Sequence, residues 1–434
     1  MNSQPEKKDD FQNQIISKPD DDYSFQDIIE QDEDDLSFNF SETIVETVPP
    51  NMYDAVLSDC FTKKLIPNTS ENSIPIMINQ TGQDRVSALF SLNILNIYIH
   101  YGIISFKNFI NCLETSQLIN SGLLNLVSHH IKSEANARYL FSSKYFQNLI
   151  TLLDQNHPLS YSMFKILRKL VKHNIQISDS YILNSINFLI NSDQNAHYAA
   201  DFLQTVIEKQ KDSARLLLRS QNFLNLVSNS LDPCNIEVLD VFTSVLSSSR
   251  VNYSDDKDII LSTGFIQKFQ SVDISDPLFV LILQAIEGLC IHDIQIREDL
   301  FSENYIPKIL SVFQDETEYS IRVTSINIIS YICQNHHIEL ITYLLENNIL
   351  DYYSLILPSL KHRTLYNAIL AISNIISLAE ESENQDILNI VAENSEILEE
   401  LHEIRLNFQN SKSHSERLSA ETAQIILERL ESND

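Results

Sequence analysis

His129-His130 and His336-His337 are the adjacent histidine pairs of the chain, and paired imidazoles are a common beginning of a metal site. Neighbouring side chains on a helix point about 100° apart, so neither pair can face one ion as an i, i+4 pair does. Both pairs fall at the ends of helical runs, where histidine can meet free backbone carbonyls. No metal is expected. Carboxylates run together at DEDD (32–35) and as pairs at 380–381 and 399–400, yet a catalytic pair needs a shaped, partly dry pocket that shifts one pKa. These runs fall in tails or on exposed faces. No GxSxG, HExxH, HRD or DFG stretch occurs. The five glycines, Gly82, Gly102, Gly122, Gly264 and Gly288, are too scattered to write a phosphate-cradling loop. The expectation is a protein without a catalytic site or cofactor.

What remains is recognition chemistry. The chain of 434 residues carries a net charge of −29, concentrated at its ends: residues 1–60 contribute −13, residues 380–434 contribute −10, and the long middle only −6. A positive field is required for general binding to nucleic acid or anionic membrane, so neither is an expected partner. Cys60, Cys112, Cys234, Cys290 and Cys333 stand far apart with no Cys-x-x-Cys. They read as reduced, packed thiols of a cytoplasmic or nuclear protein. The longest apolar stretch, PLFVLILQAIEGLCI (277–291), is interrupted by Gln284 and Glu287 and is shorter than the ~20 residues a bilayer span needs. It reads as a core helix.

Residues 1–80 set isolated apolar side chains among acids, a composition that cannot offset chain entropy and reads as a disordered acidic tail. Within it, SFQDII (24–29) could form a short helix that docks on a partner or on the chain's own body. From there to residue 406 almost everything has helical period, broken every 10–15 residues by Asn, Asp, Ser and Pro. ARYLFSSKYFQNLITLL (137–153), ARLLLRSQNFLNLVSNSL (214–231) and REDLFSENYIPKILSVF (297–313) repeat one pattern. The blocks closing each echo begin at 165, 201, 240, 284, 327, 371 and 423, that is 36, 39, 44, 43, 44 and 52 residues apart. A helical period near 40 means a solenoid: no unit covers its own apolar face, so neighbours stack and share one core. Pro158, Pro233 and Pro277 each precede a block by seven residues, and Asp232 and Asp276 stand where a capping side chain would. Other helical-hairpin repeats stay open, although their usual periods are about 33–34. Residues 407–434 read as a short loop and a C-terminal capping helix.

NYIPKILSVF (304–313) is similar to the helix start of armadillo repeats, with Pro307 in the family's place and Asn304 where the family has glycine. AILAISNIISLAEESENQDILNIVAENSEILEEL (368–401) resembles a repeat boundary of importin-alpha. The resemblance implies an all-α, right-handed α-solenoid of about seven armadillo-type repeats, and a non-catalytic adaptor that holds an extended or helical protein segment on a concave groove. In that family an asparagine of the third helix clamps the partner's backbone and a tryptophan four residues earlier sandwiches lysine stems. Asn374 matches the asparagine, but Leu370 stands in the tryptophan's place and the chain has no tryptophan. The equivalent positions of the other repeats are Arg168, Gln204, Thr243, Glu287 and Ser330. The acidic N-terminus also departs from the basic importin-beta-binding segment of that family. The alternatives are an armadillo-type chaperone nucleotide-exchange factor and a beta-catenin-like scaffold.

Positions i−7, i−3, i and i+4 lie within about 60° on a helix and define the solvent face of each third helix. On the first that face is Tyr161, Lys165, Arg168 and Lys172. The second shows His197, Asp201, Gln204 and Glu208; then come Asp240 with Thr243, and Gln284 with Glu287. The groove is therefore expected to be basic at its N-terminal end and acidic in the middle. The basic end would take an acidic segment, from a partner or from the chain's own tail.

Overall fold

The computed structural model describes residues 36–38, 65–67, 73–82 and, apart from short interruptions, 85–432. Two compact units divide the chain at Ile104/Ser105.

In the first unit, β1 (Leu36–Phe38) and β2 (Leu65–Pro67) pair in parallel with Leu36 opposite Leu65. Helix α1 (Ser73–Gln80) packs on α2 (Arg85–His100), burying Ile74, Met77 and Ile78. Ser91 Oγ on α2 donates to Gln80 Oε1 at 2.9 Å. Helical structure thus begins at Ser73, inside the stretch read as tail, because three apolar side chains at i, i+3 and i+4 make one face. The remainder of that stretch, SFQDII included, lies outside the described residues.

The second unit opens with α3 (Phe106–Ser116) and α4 (Ser121–His130) and continues as trios. They are α5 (Glu134–Ser142), α6 (Lys144–Asp154) and α7 (Ser160–Lys172); α8 (Asp179–Ser185), a 3₁₀ segment (Ile186–Asn191) and α9 (Gln194–Lys209); α10 (Ser213–Leu218), α11 (Gln221–Asn229) and α12 (Ile236–Leu246). Next stand α13 (Tyr253–Ser262), α14 (Phe265–Lys268) and α15 (Pro277–His292), then α16 (Ile294–Ser302), α17 (Ile306–Ser311) and α18 (Tyr319–Ile332). The last two are α19 (Ile338–Glu346), α20 (Ile349–Ile356) and α21 (His362–Glu381), then α22 (Gln385–Glu393), α23 (Ser395–Phe408) and α24 (His414–Ser432).

Each of the seven sequence blocks falls in the third helix of its trio. Those helices lie side by side in chain order: α7 against α9, α9 against α12, then α15, α18, α21 and α24 in turn. This is an armadillo-type α-solenoid, as the period implied. Helix α24, read as a cap, packs on α21 and α23 as the other third helices pack on theirs.

Local chemistry starts these helices. Asn120, Ser133, Ser220, Asn235, Asn252, Asn384 and Asn394 each accept an N–H of the first turn through the side chain. Asp276 does the same for α15, accepting from Leu278 N at 2.8 Å, with Pro277 at the first helical position. The other two prolines mark the region rather than the residue. Helix α12 begins three residues after Pro233 with Asn235 as its cap, so Asp232 does not cap it; α7 begins two residues after Pro158. Gly264, Asn304 and Asn348 occupy one equivalent position, the entry to the second helix of successive trios, and all have left-handed backbone, φ 75°, 61° and 59°. Asparagine tolerates that region better than other side chains do. Asn304 can therefore stand where the family pattern has glycine.

The core runs lengthwise. Phe164 of α7 meets Phe202 of α9 at 5.9 Å; Phe242 of α12 sits between Phe223 at 6.1 Å and Phe265 at 5.3 Å; Phe269 stacks on Phe279 of α15 at 5.0 Å. Most of these rings are fully buried, each stabilising by about 1.5–3 kcal/mol relative to exposure. Gly288 of α15 lets that helix approach α12 closely: a Cβ there would lie 2.6 Å from Ser247 Cα and nearer still to its Oγ.

Candidate binding face of the third helices

Polar side chains of neighbouring third helices join in rungs, and in three of them the fourth position of one block bonds the first position of the next. Arg168 Nη1 on α7 donates to Asp201 Oδ2 on α9 at 3.0 Å, and Gln204 Nε2 on α9 donates to Asp240 Oδ2 on α12 at 2.7 Å. Asn327 Nδ2 on α18 donates to Glu287 Oε1 on α15 at 2.7 Å. A further rung uses other positions: Asn367 Nδ2 on α21 donates to the Tyr331 hydroxyl on α18 at 3.0 Å.

Two expected groove residues are not on the face. Thr243 is buried and donates to the Leu281 carbonyl at 3.2 Å; its short side chain cannot reach Gln284. Ser330 is fully buried, bonded to the Ile326 carbonyl and to the Tyr353 hydroxyl. The remaining expected residues are half-buried or exposed. Tyr161 tilts against Tyr198 of α9, ring centroids 5.9 Å apart, and the Lys165 ammonium lies 4.7 Å from the Tyr198 ring centre. Glu208 pairs with its neighbour Lys209 at 2.8 Å, Lys172 is exposed, and Asn374 is half-buried on α21.

Sequence reasoning missed Asn327, Tyr331 and Asn367, whose block positions differ from the one carried over from the family. It also missed Lys132 and Lys169. Only the block register, extended to the first position, pointed to Asn327.

The electrostatics change along the row. Lys169, half-buried at the end of α7, is held below the usual lysine range by burial and then by Lys132, Lys172, Arg168 and Lys165, all cations. Burial pushes the Glu287 carboxyl up, against the pull of its Asn327 hydrogen bond. Behind Glu287, Arg297 donates from Nε to the Cys290 carbonyl at 2.9 Å and stacks over Tyr331, its guanidinium carbon 5.7 Å from the ring centre.

Two clefts flank the rungs. One of about 610 Å³ opens between α9 and α12 near their C-terminal ends, lined by Gln204, Glu208, Lys209, Ser244 and Arg250. Another of about 780 Å³ lies at the N-terminal ends of α12, α15 and α18, with an apolar floor of Ile236, Val280 and Ile321 and an acidic rim of Asp273, Asp276 and Glu318.

The His129 and His130 rings meet edge to face at 4.9 Å, and among the described residues no three metal-ligating side chains converge. His336-His337 lies outside the described residues. Cys290 and Cys333 are buried, with thiols pushed up to about 12 by burial, whereas Cys234 is exposed in the turn before α12 rather than packed as expected. Among the described residues no helix is long and apolar enough to cross a membrane.

No family model matches the sequence, and no curated protein matches it. Among solved structures, an engineered protein is similar over 90% of this chain and 94% of its own, with 11% identity and a TM-score of 0.56. Two designed armadillo repeat proteins are also similar. One is 17% identical, with a TM-score of 0.44 over 57% of this chain and 99% of its own. The other, solved with the peptide (KR)4, is 16% identical, with a TM-score of 0.39 over 56% of this chain and 98% of its own.

Proposed function

We propose that this chain is a non-catalytic scaffold that holds a segment of another protein across its row of third helices, in the cytoplasm or nucleus. The single observation carrying this is the row itself: parallel helices present polar side chains at a regular step, with clefts beside them large enough for side chains. Such a surface offers an extended or helical segment repeated hydrogen-bond partners, which a closed pocket would not. A photo-crosslinking residue placed at Gln284 or Asn374 is expected to capture protein, while the same residue at Asn225 on α11 stays unreacted. Adducts from α11 and none from the third helices would refute the reading.

Within it, the importin-alpha-like adaptor is the leading version, supported by the 368–401 resemblance and by Asn374 on the third helix. Absence of any tryptophan removes the family's lysine slots, so retention of importin-beta or basic cargo in a pulldown is its test. Faster nucleotide release from a chaperone would favour the exchange-factor version instead.

A further inference from the structure

Lys165, Arg168, Lys169 and Lys172 stand at i, i+3, i+4 and i+7 on α7, one face of one helix. Lys132, exposed just past the end of α4, joins them, because α4 packs on α7. Five cations meeting in a chain of net charge −29 is the reverse of its average surface. Among the described residues, Asp201 pairs with Arg168, Glu208 with Lys209 and Glu134 with Arg138. Besides burial, the groups that hold Lys169 below the usual lysine range are all cations: Lys132, Lys172, Arg168 and Lys165. The helix C-terminus accounts for Lys169 and Lys172 in the last turn and Asp201 for Arg168, but neither accounts for Lys132. Tyr161 and Tyr198 hold Lys165 in place, and among the described residues the buried Arg168 Nε–H has no acceptor.

We propose that this face of α7, with Lys132, is the docking surface for a short Asp/Glu-rich segment of a partner protein. The inference rests on the scaffold reading above and adds the chemistry of what is held. Lys165 to Lys172 covers about 10 Å along the helix axis, and the next helix lies 8–10 Å away, so the patch matches roughly three to five extended residues. Beyond it α9 and α12 present Asp201, Glu208 and Asp240. A long polyanion such as RNA, or an anionic membrane, would meet those carboxylates, whereas a short acidic stretch would not.

The test uses the full chain and a fluorescein-labelled oligoglutamate peptide of about six residues, read by fluorescence anisotropy. Binding is expected, falling steeply as salt rises from roughly 50 to 200 mM. The Lys169→Glu/Lys172→Glu double variant should weaken it roughly tenfold or more, and Lys132→Glu, outside the helix, should weaken it in the same direction. Lys361→Glu, equal in charge but at the start of α21, should leave it unchanged; circular dichroism melting confirms that each variant folds. Unaltered binding in the α7 and Lys132 variants, or an equal loss with Lys361→Glu, would overturn the proposal. So would tighter, α7-dependent binding of a single-stranded RNA oligonucleotide or of phosphatidylserine vesicles. Crosslinking from positions 284 and 374 is independent of these lysines, so failure here leaves that result standing.

Discussion

The rungs of α7–α9–α12 and those of α15–α18–α21 serve opposite ends. In the first, an ion pair and an amide–carboxylate bond sit half in solvent, with the Arg168 and Asp201 side chains 40% and 21% exposed. In the second, Asn327, Tyr331 and Asn367 are less than one-tenth exposed, and Glu287 is half-buried. An exposed pair is worth about 0.2–1 kcal/mol, whereas orphaning a buried donor costs about 1–3 kcal/mol. The same repeat geometry thus leaves charge available at one end and uses polarity for cohesion at the other.

Four changes sharpen or break that contrast. The largest effect is expected at the seam between the regions: Gly288→Ala puts a methyl group against Ser247 backbone and must push α15 off α12, destabilising by about 1–3 kcal/mol in chemical denaturation. Unchanged stability would mean that the two helices are not held at this spacing. Tyr331→Phe removes the acceptor of Asn367 and should cost about 1–2 kcal/mol by the same measurement. A loss no larger than that of an exposed rung would erase the distinction.

Asp201→Asn breaks the exposed rung and should cost under about 1 kcal/mol. By freeing Arg168 it should also raise affinity for the oligoglutamate probe, seen as a lower Kd in anisotropy. The smallest effect is at Glu287. Its folded pKa is raised, so the folded state holds the proton more tightly than the unfolded one. Its stabilising contribution is complete below the unfolded value near 4.5 and is lost as pH climbs through the folded value. Glu287→Gln, which keeps an acceptor for Asn327, should therefore raise the Tm slightly at pH 7 and less at pH 4. An equal rise at both would place the carboxylate in solvent.

Phe242 illustrates how legible the core was. It lies in the block beginning at Asp240, and its contacts with Phe223 and Phe265 follow from trio stacking alone. The α15 start at Asp276-Pro277 was equally plain, because a cap and a first-turn proline act within a few residues. Asp232-Pro233 looked the same and was not, since Asn235 a turn later captured the helix start. At the candidate site Tyr161, Lys165, Arg168 and Lys172 were readable from spacing on one helix, whereas Lys132, from another helix end, was not. Thr243 and Ser330 were misplaced because their hydroxyls turn inward to Leu281 and Tyr353, partners 38 and 23 residues away.

By itself the sequence determined the trio and its period, since these depend on an apolar stripe that must be covered and on breaks that act within one turn. Tertiary structure decided which polar groups bond across helices and which keep their charge. Rungs join residues 33, 36 and 40 positions apart. The depth at which each lies, and hence the energy of leaving it unmade, depends on how closely two helices approach.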